Sequence, residues 1–198
     1  ADMNIIFSQR CVNLLVACIL LSSCGPKSGP EINGTLNEVA KDSGDWTKHG
    51  RTSKEQRFSP LKQINRDTVD SLGLDWSYEF DTSRGQEATP LVVDGVIYTT
   101  SAWSKVFALD GASGALLWSY DPKVPGEAAT KVCCDVVNRG AAYADGRIFA
   151  ATLDGRLIAL DAESGDLLWS TLTVDQSKPY TITGAPRTAK GKVFIGNG

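Results

Sequence analysis

Apolar residues in this chain come in short runs, and turn residues separate them. Leu91-Val92-Val93 is followed by Asp94-Gly95 and then Val96-Ile97-Tyr98; Ala142-Tyr143-Ala144 is followed by Asp145-Gly146 and then Arg147-Ile148-Phe149. An Asp-Gly pair between β-rich runs is a two-residue hairpin signal. Lys105 to Leu109 and Arg156 to Leu160 read as the next strands, and Leu116 to Trp118 and Leu167 to Trp169 as closing strands. Asp110 and Asp161 start tight turns, where a carboxylate can bond nearby backbone N–H groups. Gly114 and Gly165 suit positions of positive φ. No stretch carries a convincing helical period.

These runs repeat. Ala108-Leu109-Asp110-Gly111-Ala112-Ser113-Gly114-Ala115-Leu116-Leu117-Trp118 recurs as Ala159-Leu160-Asp161-Ala162-Glu163-Ser164-Gly165-Asp166-Leu167-Leu168-Trp169, an offset of 51 residues (110 to 161). A third start opens at Pro186 and runs to Ile195. Four short strands in roughly 50 residues predict an all-β propeller of four-stranded blades. The repeated tryptophan is too large to leave exposed at every turn and is expected to wedge between blades. The chain holds about two and a half such units and reads as the N-terminal part of a longer protein.

The start of the chain follows another pattern. Arg10 precedes an apolar run from Cys11 to Leu21, and Leu21-Ser22-Ser23-Cys24 follows. A charge, a short apolar core and small residues read as a secretory signal. The tetrad resembles a bacterial lipobox, which implies cleavage before Cys24 and acylation of that thiol; an ordinary signal peptide cut nearby is the alternative. The expected organisation is a lipoprotein-type signal over 1–23, a flexible Gly/Pro/Ser/Asn-rich tether over 24–43, and propeller over 44–198. The expected location is the periplasm of a Gram-negative bacterium, on a membrane through the lipid anchor.

Charge excludes one class of partner. The whole chain carries 20 basic and 23 acidic residues for a net charge of −3, and no basic stripe points to nucleic acid. Of five cysteines, Cys11 and Cys18 go with the leader and Cys24 with the anchor, which leaves Cys133 and Cys134. Adjacent Cα atoms lie about 3.8 Å apart, closer than the usual disulfide span. The pair is therefore either two neighbouring thiols or a strained eight-membered ring, and the residues alone leave both open.

Larger motifs bring in a resemblance. The docking repeat Ala-x-Asp-x-x-Ser-Gly-x-x-x-Trp occurs with Arg84-Gly85-Gln86-Glu87-Ala88-Thr89-Pro90, with Cys133-Cys134-Asp135-Val136-Val137-Asn138-Arg139-Gly140, and with Lys178 to Pro186 and Gly196-Asn197-Gly198. Gly44-Asp45-Trp46, Arg57 to Asn65 and Leu72 to Trp76 precede them. Together these resemble the pyrroloquinoline-quinone (PQQ) alcohol dehydrogenases, in wording nearest the quinohemoprotein type. The resemblance implies an eight-bladed β-propeller of which two to three blades are present. It implies a Cys133–Cys134 disulfide that forms a platform under the planar quinone. Arg139 is implied to pair with a cofactor carboxylate, with Glu87 beside it, Thr183 donating a hydroxyl bond and Gly198 permitting close backbone approach.

Further implications concern the whole enzyme. It is expected to oxidise small alcohols to aldehydes with PQQ and calcium, and to pass electrons to a cytochrome c or to a haem c domain beyond this chain. Catalytic and calcium-binding residues are expected downstream of Gly198, with none in this stretch. Alternatives are a haem-free methanol-type dehydrogenase and a non-catalytic propeller lipoprotein of the outer-membrane assembly kind. His49, the only histidine, reads as structural or surface, and Asp135 and Asn138 as shaping the disulfide loop. Trp103 reads either as core packing or as lining the way to substrate.

Overall fold

The structure is a computed structural model and describes residues 44–198. The signal, the lipidation site at Cys24 and the tether lie outside the described residues.

Each Asp-Gly signal closes a hairpin. Strand β1 (Leu91–Val93) pairs antiparallel with β2 (Val96–Thr100), with Val93 opposite Val96. Strand β5 (Ala142–Ala144) pairs in the same way with β6 (Arg147–Ala151). Asp94 and Gly95 have φ of 49° and 79°, and Asp145 and Gly146 have 49° and 70°. Positive φ at both central residues is the hairpin turn whose twist matches that of the flanking strands. Strands β3 (Val106–Asp110) and β4 (Leu116–Tyr120) complete the first sheet in the order β1-β2-β3-β4. Strands β7 (Arg156–Asp161) and β8 (Leu167–Leu172) complete the second. A third hairpin, β9 (Arg187–Ala189) with β10 (Lys192–Phe194), begins another unit.

The closing strands run further than the apolar pattern suggests, because Ser119 and Tyr120 still find ladder partners in Phe107 and Val106. Both blades carry the same register shift, at Ala108/Leu109 and at Ala159/Leu160. Each shift falls beside an Asp turn. Asp110 accepts bonds from Ser113 N–H at 2.7 Å and Ser113 Oγ at 2.6 Å, and Asp161 accepts from Ser164 N–H at 2.9 Å. These donors hold both carboxyls below the usual aspartate range, the Ser113 hydroxyl acting first on Asp110 and the Ser164 N–H first on Asp161.

The middle strands are apolar on both faces because both faces are covered. Leu91, Tyr98, Val106 and Ala108 of the first blade share one buried cluster with Ile148, Ile158, Leu160 and Ala162 of the second. The outer strands β4 and β8 stay open, with Leu116 and Leu167 about half exposed.

Tryptophan joins the blades, as the repeat implied. Trp118 of β4 donates its Nε1–H to the Ala162 carbonyl at 3.0 Å. Its ring lies flat on Gly165, where an added Cβ would sit 2.6 Å from Cδ2. Gly165 therefore answers to two demands, a φ of 78° and the ring above it. Trp76 repeats this dock one unit earlier: its Nε1–H reaches the Gly111 carbonyl at 3.2 Å and its ring covers Gly114. That role was not seen in the sequence, although Leu74-Asp75-Trp76-Ser77-Tyr78 matches Leu116-Leu117-Trp118-Ser119-Tyr120. Trp46 ties the N-terminal segment to β1 through reciprocal backbone bonds with Val92 at 2.8 and 2.9 Å.

Candidate cofactor site

The connection from β4 to β5 carries the cysteine pair. It passes through a 3-10 turn, Gly126–Lys131, and then drops into the core. Val136, Val137 and Asn138 are buried, whereas Cys133, Cys134 and Asp135 stay exposed. Asn138 is the anchor. Its Oδ1 accepts from Thr100 Oγ1 at 2.8 Å and from Gly140 N–H at 3.0 Å, and its Nδ2 donates to the Ala151 carbonyl at 2.9 Å. A buried amide with all these partners fixes its own backbone and therefore Arg139 beside it. Trp103 packs behind this loop with Ala102, Ala128, Val136 and Leu153. Its backbone N–H also donates to the Val136 carbonyl at 2.9 Å.

In the structure the Sγ atoms of Cys133 and Cys134 are bonded, with Cα atoms 3.8 Å apart. The disulfide forms one wall of a cavity of about 330 Å³, which Arg139, Thr181, Thr183 and Gly198 also line. Arg139 Nη2 lies 2.9 Å from Glu87 Oε2, and Arg139 Nη1 lies 2.5 Å from Thr183 Oγ1. The guanidinium is thus held on two sides before any ligand arrives. Its backbone is tied as well: Arg139 N–H donates to the Thr183 carbonyl at 2.9 Å, and Thr89 N–H donates to the Arg139 carbonyl at 3.4 Å. Buried Ile182 anchors the Thr183 segment from below. Thr181 and Gly198 exchange backbone bonds at 2.9 and 3.1 Å, which brings the last residues to the cavity rim.

The fold therefore gathers Cys133, Cys134, Arg139, Thr183 and Gly198 around one cavity, with Glu87 reaching it through Arg139. Arg139 and Glu87 remain 45% and 42% exposed, so the fork is accessible to an anion. An apolar wall, a pre-held guanidinium, a hydroxyl and exposed backbone suit a flat molecule bearing carboxylates. That donor set fits PQQ. Among the described residues no group of three or more His, Cys, Asp or Glu side chains converges as a metal-ligand set. His49 lies elsewhere, against the Lys48–Arg51 turn, with Nε2 2.6 Å from Arg57. Two features escaped sequence reasoning. Arg84 pairs with Asp135, and Asn138 makes its full set of contacts only because Thr100 and Ala151 come from other strands.

Four-stranded blades locked by docked tryptophans, with a cofactor-sized cavity beside the inner-strand connections, define a β-propeller with an anion-accepting face. Residues 46–171 match the family described as "PQQ: Glucose/ethanol/alcohol dehydrogenase, beta-propeller domain", and the chain belongs to that family. It is 58% identical over 170 residues to the dehydrogenase subunit of the quinone alcohol dehydrogenase of Gluconobacter oxydans, covering 83% of this chain and 22% of that protein. It is 56% identical over 156 residues to a 1-butanol dehydrogenase (cytochrome c) of Thauera butanivorans, covering 78% and 23%. Its fold resembles that of the quinohemoprotein alcohol dehydrogenase of Comamonas testosteroni, with a TM-score of 0.77 at 49% identity, covering 80% and 24%. The chain thus spans about a quarter of the length of these relatives.

Proposed function

We propose that this chain is the first part of the PQQ-binding propeller of an alcohol dehydrogenase, and that its cavity supplies one wall of the quinone site. The observation that carries this reading is the Arg139 guanidinium, clamped between Glu87 and Thr183 beside the Cys133–Cys134 disulfide. When bound, PQQ would supply the quinone that accepts two electrons as an alcohol becomes an aldehyde.

The chain's own residues act by binding and orienting. Arg139 offers a planar, permanently charged fork to a carboxylate. Glu87 holds that fork in place and keeps the rim close to neutral until a second anion enters. Thr183 Oγ1, already bonded to Arg139, stands where it can also donate to a carboxylate or carbonyl. The disulfide presents a flat polarisable surface to a ring, and Gly198 lets backbone come near it. Calcium ligands and the proton-accepting group are assigned to the chain beyond Gly198. The names of the relatives support an alcohol as substrate and a cytochrome c as electron acceptor, with a haem c domain as the alternative route. The leader supports export to the periplasm, with a lipid on Cys24.

The test uses the full-length protein prepared without cofactor and titrated with PQQ, followed by tryptophan fluorescence and by dye-linked oxidation of short alcohols. Arg139→Ala removes a charge-assisted contact of about 1.5–3 kcal/mol, so PQQ binding should weaken roughly 10- to 150-fold. Wild-type affinity in that variant would sink the assignment.

A further inference from the structure

The disulfide loop enters the core at a single residue. Cys133, Cys134 and Asp135 are exposed, and Val136 is 2% exposed. Asp135 makes the crossing with φ of 72°. Aspartate tolerates this left-handed region better than most residues because its short side chain can bond the local backbone. Here its carboxylate accepts from Val136 N–H at 2.8 Å. Val136 is pinned in turn by the Trp103 N–H on its carbonyl. The downstream side of Asp135 is therefore fixed, while the disulfide on its upstream side projects into solvent. Rotation about Asp135 decides how the disulfide tilts toward Arg139.

The same carboxylate carries a second contact, an ion pair with Arg84. Arg84 belongs to the loop that bears Glu87, and that loop is braced internally. Gln86 Nε2 donates to the Arg84 carbonyl at 3.1 Å, and Arg84 N–H donates to Thr82 Oγ1 at 3.2 Å. The side chains of the two loops thus meet at two ends, through Arg84–Asp135 at one and Glu87–Arg139 at the other, where the Thr89 N–H on the Arg139 carbonyl adds a backbone tie. One tie fixes a position, and two ties fix an orientation. Arg84 is not among the residues lining the cavity, whereas Asp135 is, so Arg84 acts through Asp135.

We propose that Arg84 and Asp135 form a positioning pair that sets the tilt of the Cys133–Cys134 platform against Arg139, so that a planar ligand lying on the disulfide meets the Arg139 fork at its edge. This rests on the PQQ reading above. The side chains are 48% and 40% exposed, so the pair is screened by salt and its effect is modest.

The experiment takes full-length, cofactor-free protein with wild-type, Arg84→Ala, Arg84→Lys, Asp135→Asn and double Arg84→Ala/Asp135→Asn sequences. PQQ affinity is measured by fluorescence titration at low salt and at ~0.5 M salt. The rate at which a water-soluble phosphine reduces the disulfide is measured on the same preparations. Asp135→Asn keeps tolerance of positive φ and an acceptor for Val136 N–H, so it removes the ion pair and leaves the turn. At low salt, Arg84→Ala and Asp135→Asn should each weaken PQQ binding roughly two- to five-fold, the range open to an exposed ion pair. They should also speed disulfide reduction by a similar factor. The double variant should be no worse than either single, because both remove the same contact. Arg84→Lys should stay near wild type, and high salt should bring wild type to the level of the variants. Additive losses, salt-independent losses, or wild-type affinity and reduction rate in both single variants would overturn the proposal. If wild type itself fails to bind PQQ, the functional reading falls, and faster reduction in the variants would still report that the pair positions the disulfide.

Discussion

Replacing Asn138 with alanine should do more damage than its distance from any ligand suggests. The side chain is 2% exposed and satisfies groups on other parts of the chain: the Thr100 hydroxyl, the Gly140 N–H and the Ala151 carbonyl. A net contribution of about 1 kcal/mol per bond gives a loss of about 3 kcal/mol. Thr100 and Ala151 are themselves buried, at 1% and 0% exposure. Each of these two partners left without a bond costs about 1–3 kcal/mol, which with about 1 kcal/mol for the Gly140 bond puts the total at about 3–7 kcal/mol. That is a large share of the stability of an ordinary domain, about 5–15 kcal/mol. The measurement is urea unfolding of the full-length, cofactor-free protein, with the midpoint shift converted through the slope. Asn138→Asp is the control. It keeps the shape and the acceptor but turns an oxygen toward the Ala151 carbonyl and buries a charge, so it should be no better than alanine. PQQ affinity should fall in both variants under conditions where they remain folded, because Arg139 and Gly140 flank the anchor. A loss below about 1 kcal/mol for Asn138→Ala would refute the reasoning, since it would mean that the buried partners had found other bonds.

Gly165→Ala should destabilise by about 2–3 kcal/mol, from strain at a φ of 78° and from the Trp118 ring against the new Cβ, with a shift in tryptophan emission as the second readout. Arg139→Lys keeps the charge but not the fork, and PQQ binding should stay several-fold weaker than wild type in fluorescence titration. His49 offers a pH test. Burial first, then Arg187 and Arg57, holds its imidazole below the usual histidine value. The folded protein therefore binds the proton less readily than the unfolded chain. Its contribution to stability is complete above about pH 6.5 and is lost as pH falls through the lower folded value. Melting temperatures of the full-length protein should show that slope, and His49→Gln should flatten it. Glu87→Gln should loosen Arg139 without removing its charge and should raise the PQQ dissociation constant less than Arg139→Ala does, measured by the same titration.

The blades were legible because their determinants are local. An Asp-Gly pair sets its own hairpin, an Asp-x-x-Ser-Gly turn satisfies its own carboxylate, and apolar runs declare which strands lie in the middle of a sheet. The wedging of Trp118 between blades could be anticipated because it recurs with the repeat, whereas its seat on Gly165 needed the packed blades. Trp76 was hidden by position, since among the described residues no strand precedes it. The six residues expected at the cofactor site, and Glu87 beside Arg139, could be named from the resemblance, but the clamp of Arg139 between Glu87 and Thr183 could not. Glu87, Arg139 and Thr183 are separated by 52 and then 44 residues (87 to 139 to 183), and nothing local sets the distance between them.

The sequence by itself determined the strands, the turns and the period of 51 residues, because short-range sterics and hydrogen bonding act within a few residues. It determined the chemical types on offer as well: a cysteine pair, a guanidinium behind it and a carboxylate on another loop. Tertiary structure decided what those types do. Stacking the blades brought the 132–140 loop and the 181–184 segment to one cavity and set the 84–90 loop against them, so that Arg139 is clamped between Glu87 and Thr183. Only that packing turned Asn138 from a loop amide into an anchor between strands. Only that packing tied Asp135 to Arg84 and gave the disulfide a definite face to present, because an ion pair or a buried bond between distant residues exists only once the fold has spent the chain entropy needed to bring them together.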